Sequence, residues 1–186
     1  MKYIRKKHLR YFAAFTIILV SLLYGLSKTN IPIYEKNQNK SIIKVKRIND
    51  GDTISAMVEN RYEKIRLIGI DTPEMGQRPW GRKAKEYIKA LIDSSSQTLT
   101  IEYDIEHRDK YGRILAYVWT KDGRLINEEM LRSGYALLFT FPPNVKYVDR
   151  FTSAQKEAKG KKLGIWSKKG LKQRPYDYRK EHPRFR

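Results

Sequence analysis

At 186 residues, with a formal charge of +19 and a pI of about 10.0, the chain is long enough for one domain with a real core. It is also basic enough to seek a polyanion. The absence of cysteine excludes disulfides, thiolate metal sites, a cysteine nucleophile and a lipid-modified N-terminal cysteine. Nucleic acid, an anionic membrane, or a merely solvated lysine-rich surface all fit the charge. The excess is spread along the chain: residues 1–10 hold five Lys/Arg and no acid, residues 167–186 hold eight against two, and the middle stays basic.

Behind the basic flank of residues 1–10, residues 11–27 (YFAAFTIILVSLLYGLS) carry no charge. This is the pattern of a signal anchor or a secretory signal. An uncleaved transmembrane anchor is the expectation, with signal cleavage near Gly25 and Ser27 as the alternative. Either sends the rest of the chain out of the cytoplasm, and an anchor holds it on the extracytoplasmic side of the cell membrane. Residues 28–41 are polar and read as a linker.

From Ile42 the pattern alternates as a first strand, Asp50-Gly51 turns the chain, and Thr53 to Val58 returns as a second. Glu59-Asn60 turns it again into an apolar third strand, Ile65 to Ile70. Trp80 to Ile92 has helical spacing through Ala84, Tyr87, Ile88 and Leu91. Thr98 to Tyr103 and Arg113 to Trp119 alternate as strands. Leu125 to Arg132 is a short helix closed by Gly134, Tyr135 to Phe141 is extended, and Val148 to Lys162 is helical. Leu163 to Trp166 docks an apolar end. The predicted fold is α+β, mainly β: a five-stranded barrel of the oligonucleotide-binding type with three helices, preceded by an N-terminal hydrophobic helix. The domain spans residues 42–166. The basic tail, 167–186, lacks an apolar face and reads as flexible, with a role in holding phosphates.

The chemistry-bearing residues stand at strand ends and turns. Asp52 and Asp71 supply carboxylates that, with a carbonyl and water, make a hard-oxygen site for calcium. Taken singly, each aspartate beside Gly or Pro simply makes a turn. Glu74, after Pro73, is placed to take a proton from water. Arg66 and Arg113 offer forks that match phosphate oxygens. Arg66 and Asp71 are an odd number of residues apart, so on a regular strand they face opposite sides. If both serve one site, the strand must bend between them, and Gly69 is the natural place.

These residues sit in DGDT (50–53), RLIGIDTPE (66–74), DKYGRILAYVW (109–119), NEEMLRSGYA (127–136) and KKLGIW (161–166). With these motifs the sequence resembles the staphylococcal nuclease, or thermonuclease, family from about Ile43 to Trp166. The resemblance implies a calcium-dependent phosphodiesterase on an oligonucleotide-binding barrel, cleaving DNA and RNA at the 5′ P–O bond and leaving 3′-phosphate ends. It implies calcium ligation by Asp52, Asp71 and the Thr72 carbonyl. Glu74 becomes the general base or the group that orients water, and Arg66 and Arg113 bind the attacked phosphate. Lys110 and Tyr111 contact a terminal phosphate. Phe139 and Phe141 stand where the family often has tyrosines, which keeps a stacking surface and removes a hydroxyl. The loop from Met75 to Gly81 is shorter than in some relatives. The implied partners are DNA or RNA and, through residues 11–27, a membrane; no protein partner is implied, and the catalytic domain is expected to be a monomer. Two other readings are a non-catalytic nucleic-acid-binding module on the same barrel and a basic membrane-surface protein.

Overall fold

The computed structural model describes residues 39–183. The basic flank, the hydrophobic segment and most of the expected linker lie outside the described residues. Among those described, no helix is long and apolar enough to cross a membrane.

Five strands close into a barrel in the order β1-β2-β3-β6-β5. They are β1 (Lys40–Ile48), β2 (Thr53–Val58), β3 (Arg61–Leu67), β5 (Thr98–Glu102) and β6 (Ile114–Trp119). The first three form the expected antiparallel meander. Between β2 and β3 the turn residues Glu59 and Asn60 both have positive φ, the two-residue hairpin geometry that matches strand twist. β6 runs antiparallel to β5 and parallel to β3, and β1 closes the ring against β5. The inward positions carry the apolar set that the alternation predicts: Ile43, Val45, Ile54, Ala56, Ile65, Leu67, Leu99, Ile101, Ile114 and Ala116 are all buried.

Helix α1 (Trp80–Asp93) buries Ala84, Ile88, Leu91 and Ile92 on one stripe. Helix α2 (Ile126–Arg132) buries Ile126, Met130 and Leu131. It packs against α3 (Val148–Gly160), whose buried side is Phe151, Ala154 and Ala158. Ile165, in the 3-10 turn Gly164–Trp166, docks the apolar end as expected.

Three details differ from the sequence reading. β1 starts at Lys40, so the last two residues of the expected linker belong to the barrel. The third strand stops at Leu67: Ile68 and Gly69 turn, and Ile70–Asp71 (β4) pairs instead with Leu137–Leu138 (β7) in a separate two-stranded ladder. The apolar run looked continuous because both ladders bury their side chains. Finally, the described residues hold four helices rather than three. The tail expected to be flexible contains α4 (Pro175–Glu181), with Pro at its start, Asp177 in its first turn and Arg179 and Lys180 in its last.

Candidate nucleic-acid-processing site

The bend after β3 creates the site. Gly69 has a φ of +79°, and an added Cβ would lie 2.5 Å from the Phe151 ring, so only glycine fits there. Arg66, the residue before the last of β3, spans the bend. Its Nη1 donates to the Leu67 carbonyl (2.6 Å) and its Nη2 to the Ile70 carbonyl (2.7 Å). These two bonds fix the plane of the guanidinium. A buried Asn127 from α2 braces the same corner: it accepts from the Val118 N–H (2.9 Å) and donates to the Ile68 carbonyl (2.8 Å).

The 50–53 turn meets this corner. Arg66 pairs with Thr53 across the β2–β3 ladder, and the Leu67 N–H donates to the Asp52 carbonyl (2.9 Å). The buried Asp52 carboxylate accepts from the Thr72 N–H and the Thr72 hydroxyl, both at 3.0 Å, and from the Thr53 hydroxyl at 3.1 Å. Arg66 Nη2 stands 3.3 Å from Asp52 Oδ2 and 3.8 Å from Asp71 Oδ1. One guanidinium therefore lies between two buried carboxylates, and the bend expected at Gly69 is what brings Asp71 to it. Burial opposes the charge on Asp52, but Arg66 and the Thr72 and Thr53 donors outweigh it and hold its carboxyl below the usual range. Asp71 goes the other way: burial raises it, Arg179 only partly offsets this, and the neighbouring Asp52 adds to the rise.

Glu74, half-buried, follows on the same loop. Its backbone N–H donates to the Gln77 side chain at 2.9 Å. Arg179 of α4 donates through Nη1 to Glu74 Oε1 and Asp71 Oδ1, each at 2.9 Å, and through Nη2 to Asp71 Oδ2 at 3.0 Å. Asp52, Arg66, Asp71, Thr72 and Glu74 thus come together, joined by Arg179, which the sequence reading did not single out. Gln77 and Asn127 were also missed, because a bracing amide has no spacing of its own.

Arg113, Lys110 and Tyr111 form a second group, organised by Asp109. Asp109 accepts from the Tyr111 and Arg113 N–H groups and takes the Arg113 Nε at 2.7 Å. Arg113 and Lys110 lie over the Tyr111 ring, at 5.5 and 5.2 Å from its centroid. A fork from Arg108 to Glu63 (3.0 and 2.8 Å) ties this loop to β3. Register relates the two groups. Leu115 is opposite Arg66, and Arg113 stands just ahead of β6, two residues before Leu115. Phe139 is bound to the bend itself through its N–H to the Gly69 carbonyl (3.0 Å), while Phe141 is largely exposed.

Among the described residues no three or more His, Asp or Glu are gathered into a ready-made metal cage. The donor chemistry nonetheless fits a hard cation. Two adjacent carboxylates, completed by a carbonyl and water, are an oxygen-only set of the kind calcium accepts.

A small closed barrel with paired carboxylates and arginines at one corner defines the class of the domain, an oligonucleotide-binding-type fold with a polar site on its rim. The family described as staphylococcal nuclease homologue matches residues 64–168, more than half of the chain. Endonuclease YncB of Bacillus subtilis (strain 168) is 39% identical over 145 residues, covering 74% of this chain and 67% of that one. The thermonuclease of Staphylococcus intermedius is 42% identical over 129 residues, covering 67% and 75%. That of Staphylococcus hyicus is 38% identical over 136 residues, covering 70% and 79%. The chain belongs to the staphylococcal nuclease family.

Proposed function

We propose that this protein is a calcium-dependent nuclease of low sequence specificity, hydrolysing DNA, RNA or both at the 5′ P–O bond and leaving 3′-phosphate ends. The observation that carries this reading is Arg66 held between the buried carboxylates of Asp52 and Asp71, with Glu74 on the adjoining loop. Family membership and the endonuclease and thermonuclease relatives support the reaction class.

In this reading Asp52, Asp71 and the Thr72 carbonyl hold the calcium ion, which when bound polarises the phosphate and offsets its developing charge. Glu74 takes a proton from the attacking water or orients it. The Arg66 and Arg113 forks hold the phosphate oxygens, where charge grows in the transition state. Lys110 and Tyr111 hold a terminal phosphate, and the Phe139 and Phe141 rings offer stacking surfaces for bases. The uncharged segment at residues 11–27 carries the domain to the extracytoplasmic side of the membrane, and the catalytic domain acts as a monomer.

The test is cleavage of single- and double-stranded DNA and of RNA under calcium, magnesium or chelator, with Glu74→Gln and Arg113→Ala as controls. Calcium-dependent cleavage, lost in both variants, is the expected result. Tight binding with no cleavage under any metal would replace this reading with the non-catalytic binding module.

A further inference from the structure

Helix α4 is seated on the carboxylate corner by several independent contacts. Gln77 clamps the loop to the tail: its Oε1 accepts from the Glu74 N–H at 2.9 Å, and its Nε2 donates to the Gln173 carbonyl at 2.8 Å. Tyr178 packs over Gly76 so closely that an added Cβ there would lie 2.2 Å from the tyrosine hydroxyl. Pro175 is buried at the start of the helix. This seating delivers the Arg179 guanidinium to both oxygens of Asp71 and to one oxygen of Glu74.

A two-pronged guanidinium–carboxylate pair uses the lone pairs of both oxygens along one edge. A divalent cation on Asp71 draws on the same carboxylate and repels the guanidinium beside it. Two carboxylates on one short loop also need a positive partner, and Arg179 supplies one from the far end of the domain.

We propose that Arg179 is the resident counter-ion of this corner and that a divalent cation exchanges with it at Asp71, so that cation binding unlatches α4. This rests on the reading of Asp71 as a cation ligand. Linkage makes the coupling reciprocal: a docked α4 weakens cation binding, and a bound cation weakens α4 docking by the same factor. Release also frees Arg179, which the docked helix holds on Asp71 and Glu74, for contact with a polyanion.

The test uses the full-length protein and two readouts that do not depend on cleavage. Calcium affinity is measured by titration calorimetry for wild type, Arg179→Gln and Arg179→Lys. Amide exchange of Pro175–Glu181 is followed with and without calcium. The expected results are a roughly 5- to 10-fold tighter calcium site in Arg179→Gln, a smaller gain in Arg179→Lys, and exchange in α4 at least about 5-fold faster with calcium in the wild type. An unchanged or weaker site in Arg179→Gln, with calcium still binding the wild type, overturns the exchange and makes Arg179 a positioning residue. Unaltered exchange in α4 overturns the unlatching. Absence of calcium binding in all three proteins overturns the calcium reading itself, and the exchange with it.

Discussion

Thr72 grips Asp52 twice: its backbone N–H and its hydroxyl both donate to the same carboxylate oxygen, each at 3.0 Å, across twenty residues of sequence. This joins the 50–53 turn to the 71–74 loop without passing through the barrel. Thr72→Val keeps the shape and the N–H and removes the hydroxyl from a buried charge. The expected cost is about 2 kcal/mol in denaturant unfolding, restored in Thr72→Ser. Equal midpoints for Val and wild type would show that the hydroxyl contributes nothing.

Gly69→Ala should cost more, roughly 2–4 kcal/mol, because it combines a left-handed φ with a collision against Phe151. Arg66 is anchored to the carbonyls on either side of this bend, so cleavage should fall together with stability. Thermal unfolding and cleavage assays on one preparation check both.

Asn127→Leu removes the amide from between its two partners and leaves the Val118 N–H and the Ile68 carbonyl unsatisfied inside the protein. A loss of about 2–4 kcal/mol is expected by chemical denaturation.

Glu102 gives a pH dependence remote from the site. Burial opposes its charge, but Lys146 and the Tyr147 hydroxyl outweigh burial and lower its carboxyl below the ordinary 4.5. A lowered carboxyl contributes stability that is fully present above about pH 4.5 and fades as pH falls through the lower folded value. Glu102→Gln should therefore be clearly less stable than wild type at pH 7. The gap should narrow in acid, read from urea midpoints between pH 7 and pH 3. A gap that is constant with pH would contradict this.

Lys172 and Arg174 line a groove of about 510 Å³ that runs from Asp71 and Phe139 along the tail. Among the described residues neither has a carboxylate within ion-pairing distance. If single-stranded nucleic acid follows this groove, the salt slope of its binding should flatten by about 0.7 for each cation removed. Lys172→Gln and Arg174→Gln, measured across a salt series with an inactive Glu74→Gln background, give that slope directly.

Much of this was legible in the sequence where side-chain period and turn residues agree. Thr53–Val58 is bounded by Asp50-Gly51 and Glu59-Asn60 and came out with the bounds read from the sequence. The odd spacing between Arg66 and Asp71 points to a bend at Gly69, where the structure has it. Two-residue ladders carry no period, so the switch of Ile70 and Asp71 to a new partner strand stayed hidden. α4 is too short to show an apolar stripe, and its seat depends on Arg179 meeting Asp71 across 108 residues. Long-range salt bridges of that kind leave no trace in local spacing.

The first strand of the barrel also sets how the domain bears load. β1 is paired with β5 through its first half, Lys40 to Lys44, and with β2 through its second, Lys44 to Ile48, so the stretch entering the domain is held by two ladders in succession. A pull on the upstream segment therefore loads the β5 ladder first and the β2 ladder behind it. Tension applied from the N-terminal side is therefore taken up between β1 and β5 before it reaches β2 and, through it, β3, from which the carboxylate corner hangs.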